Sequence, residues 1–531
     1  MQFIPEPRLM ARWVNQVQEF AIRNSPHGIP VTISTDPRHS FTQNWGASFT
    51  AEHFSAWPEP LGLAALRDEE VVREFARLAR EEYLAVGLRT ALHPTLDLAT
   101  EPRWARQYST FGQDADVAAR LALAYLDGFE GEQLGRGSVA CMAKHFPGGG
   151  PQKDGEDPHY PYGREQIYPG GAFEYHLEPF RRVIARGVSQ IMPYYGMPIG
   201  LMRNGQPIEE VGFGFNRQII TDLLREELGY DGVVCTDWGL ITDSSLHGRN
   251  LPPRAWGVEH LSIAERVKKV IDAGCDQFGG EECPEVVVDL VEHGEVSEER
   301  INVSARRLLR VKFELGLFDD PFVDEGKAAV RVRGHEAVSA GYRAQARSLT
   351  LLKNERSSGL PVLPLPEGTA IYAESLPAEK VREAGLYAVA SPAEATVALV
   401  RLATPYEPRD HYMLEASFHA GNLEFDDETV ASVAALAAQV PVVLAVHLDR
   451  PAVLTPLEPL AAAMVGVFGT SDEALLDVLT GVIPPEGKLP FDLPRSHRSV
   501  EASRADVPGD AANPLYRHGF GLTLPKNDRR H

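Results

Sequence analysis

Cysteine is scarce in this chain of 531 residues: Cys141, Cys235, Cys275 and Cys283 are the four present, and no two form a CxxC pair. That spacing excludes a disulfide framework and a zinc knuckle and leaves buried free thiols as the expected state. Basic charge is also short. With 52 Lys and Arg against 74 Asp and Glu the formal charge is −22, so the basic footprint that a nucleic-acid or anionic-membrane binder needs is missing. No run reaches the roughly 18 apolar residues of a membrane span, and the opening stretch "MQFIPEPRLMARWVNQ" has no apolar core of the secretory kind. A cytoplasmic enzyme is therefore expected, or a secreted one if a leader has been removed. The chain has no GK[ST] phosphate loop, no HExxH, no short-period repeat and no low-complexity tract. Those absences set aside nucleotide loops, zinc proteases, solenoids and disordered arms, and nothing asks for a metal or an organic cofactor.

What is present is an ordinary globular composition, 44% hydrophobic and 24% charged, in a length that predicts more than one domain. From residue 30 to about 320, short apolar runs alternate with amphipathic ones. Strands are expected at 29–35, 86–94, 138–146, 188–195 and 232–239, and helices at 71–86, 116–133, 216–229 and 262–274. Strands separated by helices predict a parallel sheet, either a (β/α)8-type barrel or a doubly wound sheet. The polar residues decide between them. Asp36, Lys144–His145, Tyr194–Tyr195 and Asp237–Trp238 all fall where strands end, and a barrel aims all its strand ends at one face, where its active site sits. A second α/β pattern follows, with strands at 348–354, 369–374, 395–402, 440–448 and 462–470 and a helix at 427–439. The expected division is a barrel over 1–325, a linker with a short helix over 326–345, a smaller α/β sandwich over 346–525 and a polar tail over 526–531.

Several strand ends carry groups with chemistry. In "GVVCTDWG" an apolar strand ends in Asp237 and Trp238, a carboxylate beside an aromatic face, which suits a sugar with its apolar ring face and hydroxyl rim. Alone, an Asp here could equally cap the next helix. Lys144 and His145 close a strand before "PGGG", where glycines let the backbone turn and approach a ligand, and their donors suit neighbouring hydroxyls. Asp36 in "STDPRHS" and Arg106 in "EPRWARQYSTFGQD" join the set, although either one alone is more often a turn former or a surface ion pair. "DPH" at 157–159 is too short to make a metal site by itself.

In order along the chain, "KHFPGGG", "TDWG", "LLKNE", "GKLPFDLPRS" and "HGFGLTL" resemble glycoside hydrolase family 3, the exo-acting β-glucosidases and their relatives. The resemblance runs from "STDPRHS" to the final "GFGLTL". It implies a barrel paired with an α/β sandwich and a retaining mechanism without cofactor. Asp237 would be the nucleophile, Lys144 and His145 would hold the non-reducing-end sugar, Asp36 would clamp its far hydroxyls, Arg106 would reach the same sugar, Tyr195 would lie near the nucleophile, and Trp238 would border the site. The partner implied is a small carbohydrate. A homodimer is the assembly common among such enzymes, with no symmetry readable from one chain.

The acid/base stays open between two regions. Two-domain members of the family use a Glu from the second domain, and "RLATPYEPRDHYMLE" offers Glu407 first and Glu415 second, with Glu424 in "GNLEFDD" a third choice. The family's β-N-acetylhexosaminidases instead use a His in an Asp-x-His pair after "KHFPG", and Asp157-Pro158-His159 has that order a residue or so late. The first reading, with Glu407 as acid and the loop as sugar-binding scaffold, is the expected one. "EPRWAR", "YSTFGQD" and "RHGFGL" depart from the family's more usual forms around the sugar site, which bears on the substrate more than on the reaction. A β-glucosidase is expected, with a β-N-acetylhexosaminidase, a transglycosylase and an idle sugar-binding homologue as the alternatives.

Overall fold

The computed structural model describes residues 6–44, 48–246, 248–355 and 359–524; the expected polar tail lies outside them. The chain opens with α1 (Pro7–Asn24). Six parallel strands then follow in chain order and lie side by side in that order: β1 (Ser34–Thr35), β2 (Thr90–Ala91), β3 (Ala140–Phe146), β4 (Gln190–Pro193), β5 (Val233–Trp238) and β6 (Gln277–Gly279). The first five fall within the expected strands, while β6, in the polar stretch "CDQFGG", had no apolar run to announce it. Helices Glu69–Val86, Ala115–Glu130, Phe173–Arg186 and Ile263–Ala273 and a π-helical segment Gln218–Glu227 connect them.

Local chemistry sets these helix ends. Asp68 accepts from the amides of Glu70 and Val71, and the helix it starts stops at Gly87, whose φ of 85° suits glycine. A Cβ there would also lie 2.6 Å from Val14 of α1, so the same glycine lets α1 pack close. Ser262 and Glu265 form a reciprocal capping box at the start of Ile263–Ala273.

The sheet curls. Leu92, Met142, Met192 and Cys235, carried on or beside four successive strands, meet in one apolar cluster inside it, and residues next to β1 and β6 line a common cavity. This is the layered interior of a (β/α)8-type barrel, here with six strands hydrogen-bonded among the described residues. Two helices, α2 (Pro284–Glu292) and α3 (Glu298–Glu314), follow β6.

Residues 326–345, read from sequence as a linker with a short helix, are mostly helical, in Glu325–Arg331 and His335–Ser348. The second helix buries Ala337, Ala340, Gly341 and Ala344; small residues make a close-packing face that an apolarity scan passes over. Beyond it stands a six-stranded sheet: β7 (Thr350–Asn354), β8 (Ala370–Tyr372), β9 (Tyr387–Ala388), β10 (Val397–Ala403), β11 (Val442–His447) and β12 (Ala461–Val467), ordered β7-β12-β11-β10-β8-β9 and parallel except for β7. Separate apolar clusters cover it, one holding Ile371, Val443 and Leu475, the other Leu444, Met464 and Phe491. The architecture is a (β/α)8-type barrel followed by a smaller α/β sandwich. No helix among the described residues is long and apolar enough to cross a membrane.

Candidate active site

A cavity of ≈ 230 Å³ opens at the carboxyl ends of the barrel strands. Asp36, Arg106, Lys144, His145, His159, Tyr195, Asp237 and Trp238 all line it. These are residues that separate parts of the sequence contribute, and the barrel alone brings them together.

Asp237 ends β5 and is buried. Its Oδ1 accepts from the Trp238 amide at 2.8 Å and lies 2.8 Å from the Tyr195 hydroxyl, which also reaches the Trp238 carbonyl at 2.6 Å. Among the described residues its Oδ2 has no hydrogen-bond partner, and it sits 3.7 Å from His145 Nε2. One oxygen is thus fixed and the other free, the arrangement a nucleophilic carboxylate needs. Burial and the neighbouring Asp237 push the Tyr195 phenol well above its ordinary range, so it stays a donor.

Lys144 and His145 close β3. Lys144 Nζ donates to Asp36 Oδ1 at 3.0 Å. His145 Nδ1 meets Asp97 Oδ2 at 2.6 Å, and Arg106 Nη1 lies 3.1 Å from His145 Nε2. A guanidinium only donates, so Nε2 is the acceptor and the proton is on Nδ1. Burial, then Arg106, hold this imidazole neutral, well below its ordinary pKa. Burial pushes the Asp97 carboxyl up to about 6 against the amides of Gly149 and His145 and the charge of Arg106. Asp97 was missed from the sequence, although it too lies just after a strand, in "HPTLD". Arg106 is fully buried, and its Nε is unpartnered among the described residues.

His159 faces the same cavity. Its Nδ1 is 2.6 Å from Asp157 Oδ1, its own amide donates to that oxygen at 3.0 Å, and Trp104 Nε1 donates to Asp157 Oδ2 at 2.9 Å. Trp256 pins the loop through the Pro158 carbonyl at 2.8 Å. The ring stands edge-on to Tyr195 at 4.7 Å and against Phe418 at 5.0 Å. Burial lowers its pKa, and Asp157 pulls the other way. Burial would raise Asp157, but the paired imidazole and Arg106 bring it down to about 2. An aspartate so placed fixes the tautomer and leaves Nε2 for the cavity.

The carboxylates expected from the second domain are elsewhere. Glu407 does not line the cavity; its side chain is 53% exposed and pairs with Arg409 at 2.9 Å. Glu415 is buried but fully engaged, accepting from Tyr162 at 2.6 Å and from the amides of His411 and Tyr412. Those donors outweigh burial and lower its pKa. Glu424 accepts from the His497 amide, remote in chain and outside the cavity. The second domain instead sends a covering loop. Met413 and Leu414 line the cavity, and the loop is held to barrel loops by Glu415 to Tyr162, Arg409 to Glu156 at 2.8 Å, and a bidentate Arg249 to Asp410 pair. Arg254 and Ser244 also line the wall, and Arg254 lies over the Tyr195 ring at 5.5 Å. No local pattern marked Arg254, Met413 or Leu414.

Four free cysteines are present and none is paired. No group of three or more metal-ligating side chains occurs among the described residues.

A barrel mouth that presents a free carboxylate oxygen beside Lys144, Arg106 and the Trp238 ring fits the glycoside hydrolase class. The family model for the glycosyl hydrolase family 3 N terminal domain matches residues 5–311 and that for the C-terminal domain matches residues 323–524. The chain belongs to glycosyl hydrolase family 3. It is 51% identical over 514 residues to "Probable beta-glucosidase C" of Aspergillus oryzae, covering 97% of this chain and 79% of that protein. It is 50% identical over 518 residues to "Beta-glucosidase C" of Emericella nidulans, covering 97% and 82%. To the "Periplasmic beta-glucosidase/beta-xylosidase" of Dickeya chrysanthemi it is 39% identical over 530 residues, covering 97% and 80%. Among solved structures, the Listeria innocua beta-glucosidase with isofagomine shares the fold with a TM-score of 0.76 at 20% identity, over 97% of this chain and 75% of that one. An exo-1,3/1,4-beta-glucanase from a Pseudoalteromonas species does so at 0.78 and 23%, over 98% and 86%.

Proposed function

We propose that the chain is an exo-acting, retaining β-glucosidase in which Asp237 is the nucleophile and His159, oriented by Asp157, is the acid/base. The observation that carries the reading is that one small cavity holds Asp237, whose Oδ2 is unbonded, and His159, whose Nδ1 is taken by Asp157, with no second-domain glutamate lining it among the described residues. The β-glucosidase names of relatives at about half identity support the substrate. Glu407, the first choice from sequence, is set aside as acid because its carboxylate is spent on Arg409 in solvent.

In the first step Asp237 Oδ2 attacks the anomeric carbon while protonated His159 delivers its Nε2 proton to the leaving oxygen. His159 is then a neutral imidazole beside a neutral glycosyl-aspartate, and in the second step its Nε2 takes a proton from water while the water oxygen bonds to the anomeric carbon and the bond to Asp237 Oδ2 breaks, which restores the carboxylate and the imidazolium. Asp36, Lys144 and Arg106 hold the sugar hydroxyls, His145 stays neutral between Arg106 and Asp97, and Trp238, 38% exposed, borders the mouth. The reading gives catalysis to the barrel, 1–325, and the covering loop to the sandwich domain, 346–525. A cytoplasmic location and a homodimer go with it as proposals; the Dickeya relative is named periplasmic, and cell fractionation and sedimentation decide both.

One observation favours a second reading: the Asp157–His159 pair is the dyad the sequence associated with β-N-acetylhexosaminidases. Brief incubation with 2-deoxy-2-fluoro-β-glucosyl fluoride, then intact mass and peptide mapping, separates the two. A glucosyl adduct on Asp237 supports the glucosidase. Reaction with the N-acetylglucosaminyl analogue alone moves the enzyme to the other branch, and no labelling by either sinks the retaining mechanism.

A further inference from the structure

Backbone strain singles out one residue of the covering loop. Among the described residues other than glycine, six have a positive φ: Arg67, Asp154, Asn204, Arg333, Leu414 and Asn513. Asp and Asn enter that region readily, because their short polar side chains hydrogen-bond locally. Leu414 is the one apolar member of the set and the one that lines the catalytic cavity. Its φ is 70° and its ψ −11°, a conformation that glycine adopts freely and a leucine does not. Strain of this kind persists where the surroundings over-determine it. Here they do so from both sides. The Glu415 carboxylate accepts from the amides of His411 and Tyr412 at 2.5 and 2.9 Å and from the Tyr162 hydroxyl at 2.6 Å, and the Leu414 carbonyl accepts from the Ser417 amide at 3.0 Å and its hydroxyl at 2.7 Å. A glycine would meet the same turn without strain, so what the turn holds in place is the leucine side chain.

The neighbours of that side chain place it. Phe418, four residues on, packs against the His159 ring at 5.0 Å and stands edge-on to Tyr160 at 5.4 Å, and Met413 and Leu414 pack on the same apolar cluster. The loop therefore meets the cavity on the side of His159. Asp36, just after β1, and Lys144 of β3 pair with each other and face the cavity from other strands. The oxygen that His159 protonates belongs to the leaving group, so whatever that oxygen carries lies against Met413 and Leu414. Trp238, 38% exposed, adds a third apolar surface at the mouth, while the polar Arg254 and Ser244 keep to the side of the nucleophile, where Arg254 reaches the Gly239 carbonyl at 3.4 Å. An apolar group laid on these side chains gains in proportion to the area it takes from water. A sugar laid there gives up hydrogen bonds from its hydroxyls to water.

We propose that Leu414 is a specificity-determining residue: its strained turn holds an apolar wall, continued by Met413, on the leaving-group side of the cavity, and the wall selects β-glucosides whose aglycone is an alkyl or aryl group over those whose aglycone is a sugar. The inference rests on the proposed function, which puts the leaving oxygen at His159.

The test is kcat/KM across n-alkyl β-glucosides from ethyl to hexyl, with cellobiose alongside. Every alkyl member has the same sugar and a primary alkoxide leaving group, and the slope of log kcat/KM against chain length does not depend on how much of a preparation is folded. In the wild type each added methylene should raise kcat/KM about twofold, half on a logarithmic scale of what its complete burial gives, and hexyl glucoside should exceed cellobiose by about tenfold or more. In Leu414→Asn and Leu414→Gly, both residues at home at positive φ, the rise should fall to about 1.4-fold or less per methylene, with Tm within about 2 °C of wild type because relief of strain offsets the packing lost. A flat series in the wild type, a wild-type preference for cellobiose, or a slope that both variants retain overturns the proposal. So does a fall in Tm of about 5 °C or more in both variants, which would make Leu414 a packing residue of the loop. If the enzyme refuses glucosides and accepts N-acetylglucosaminides, the proposed substrate fails and the same alkyl series on that sugar still decides the wall; turnover of neither sugar sinks both.

Discussion

Replacing Asp157 by Asn tests the acid assignment most sharply, because it keeps the size of the side chain and removes the charge; it also gives up the hydrogen bond from Trp104 Nε1, since an amide nitrogen cannot accept while Asn Oδ1 still faces His159. Asp157 Oδ1 is 2.6 Å from His159 Nδ1 in a buried site, and an opposite charge at such range shifts a pKa by about 1–3 units. Burial already lowers His159. Without Asp157 it falls further, so the protonated form that donates to the leaving group is lost at lower pH. The alkaline limb of kcat/KM should therefore move down by about 1–3 units, and at pH 7 the rate on a disaccharide, whose leaving group needs a proton, should drop about 10- to 1000-fold at 1.36 kcal/mol per unit. A 2,4-dinitrophenyl glucoside needs no proton to depart, so its glycosylation rate should change little. His159→Ala should cost the disaccharide about 10²–10⁴-fold and regain turnover of activated substrates with azide. Stopped assays across about pH 4–9 on both substrates read the split. An equal loss on good and poor leaving groups, with the alkaline limb unmoved, would refute the role of His159.

Asp237→Asn should lower kcat by about 10⁴-fold or more while leaving the Kd for a neutral sugar near wild type, since the change spares the donors around it; calorimetry with glucose supplies the second number. Glu407→Ala should leave kcat/KM within about threefold and Tm unchanged, as for an exposed residue with one screened ion pair; a loss on poor leaving groups alone would reinstate it as acid. Glu415→Gln replaces a charged acceptor of three hydrogen bonds, each worth about 1.5 kcal/mol or more, and should loosen the covering loop, raising KM about tenfold with kcat little changed; progress curves on an aryl glucoside check it. Asp157, at about 2 against an ordinary 3.8, contributes about 2 kcal/mol of stability above its unfolded pKa. The Tm gap between wild type and Asp157→Asn should therefore hold above about pH 4 and close as pH falls toward about 2, as calorimetry across that range will show.

The strands and the polar residues at their ends were legible because a barrel imposes both patterns: apolar runs that alternate with helices, and chemistry at carboxyl ends. Asp36, Lys144, His145, Tyr195 and Asp237 follow that rule, and Asp97 obeys it too but went unread. β6 was hidden because "CDQFGG" has polar neighbours on both sides, and the helix at His335–Ser348 because its buried face is alanine and glycine. Arg254, Met413 and Leu414 reach the cavity from loops whose course depends on what they pack against, and loops carry no periodicity to read.

The choice of acid shows where sequence stops. "YEPRDHYMLE" and "DGEDPH" both offer a proton donor, and nothing local ranks them. Tertiary structure ranks them by what each side chain touches: Glu407 spends its charge on Arg409, Glu415 spends its own on Tyr162 and two amides, and His159 keeps one nitrogen facing the cavity. Sequence by itself determined the class of fold, the nucleophile's candidate and many of the polar residues that line the cavity, because these lie at ends of regular elements whose period is written in the chain. Which side chains share a cavity, and which are spent elsewhere, was decided only by the closure of the barrel and the packing of the second domain's loop onto its mouth, since proximity between residues far apart in the chain is a property of the folded molecule.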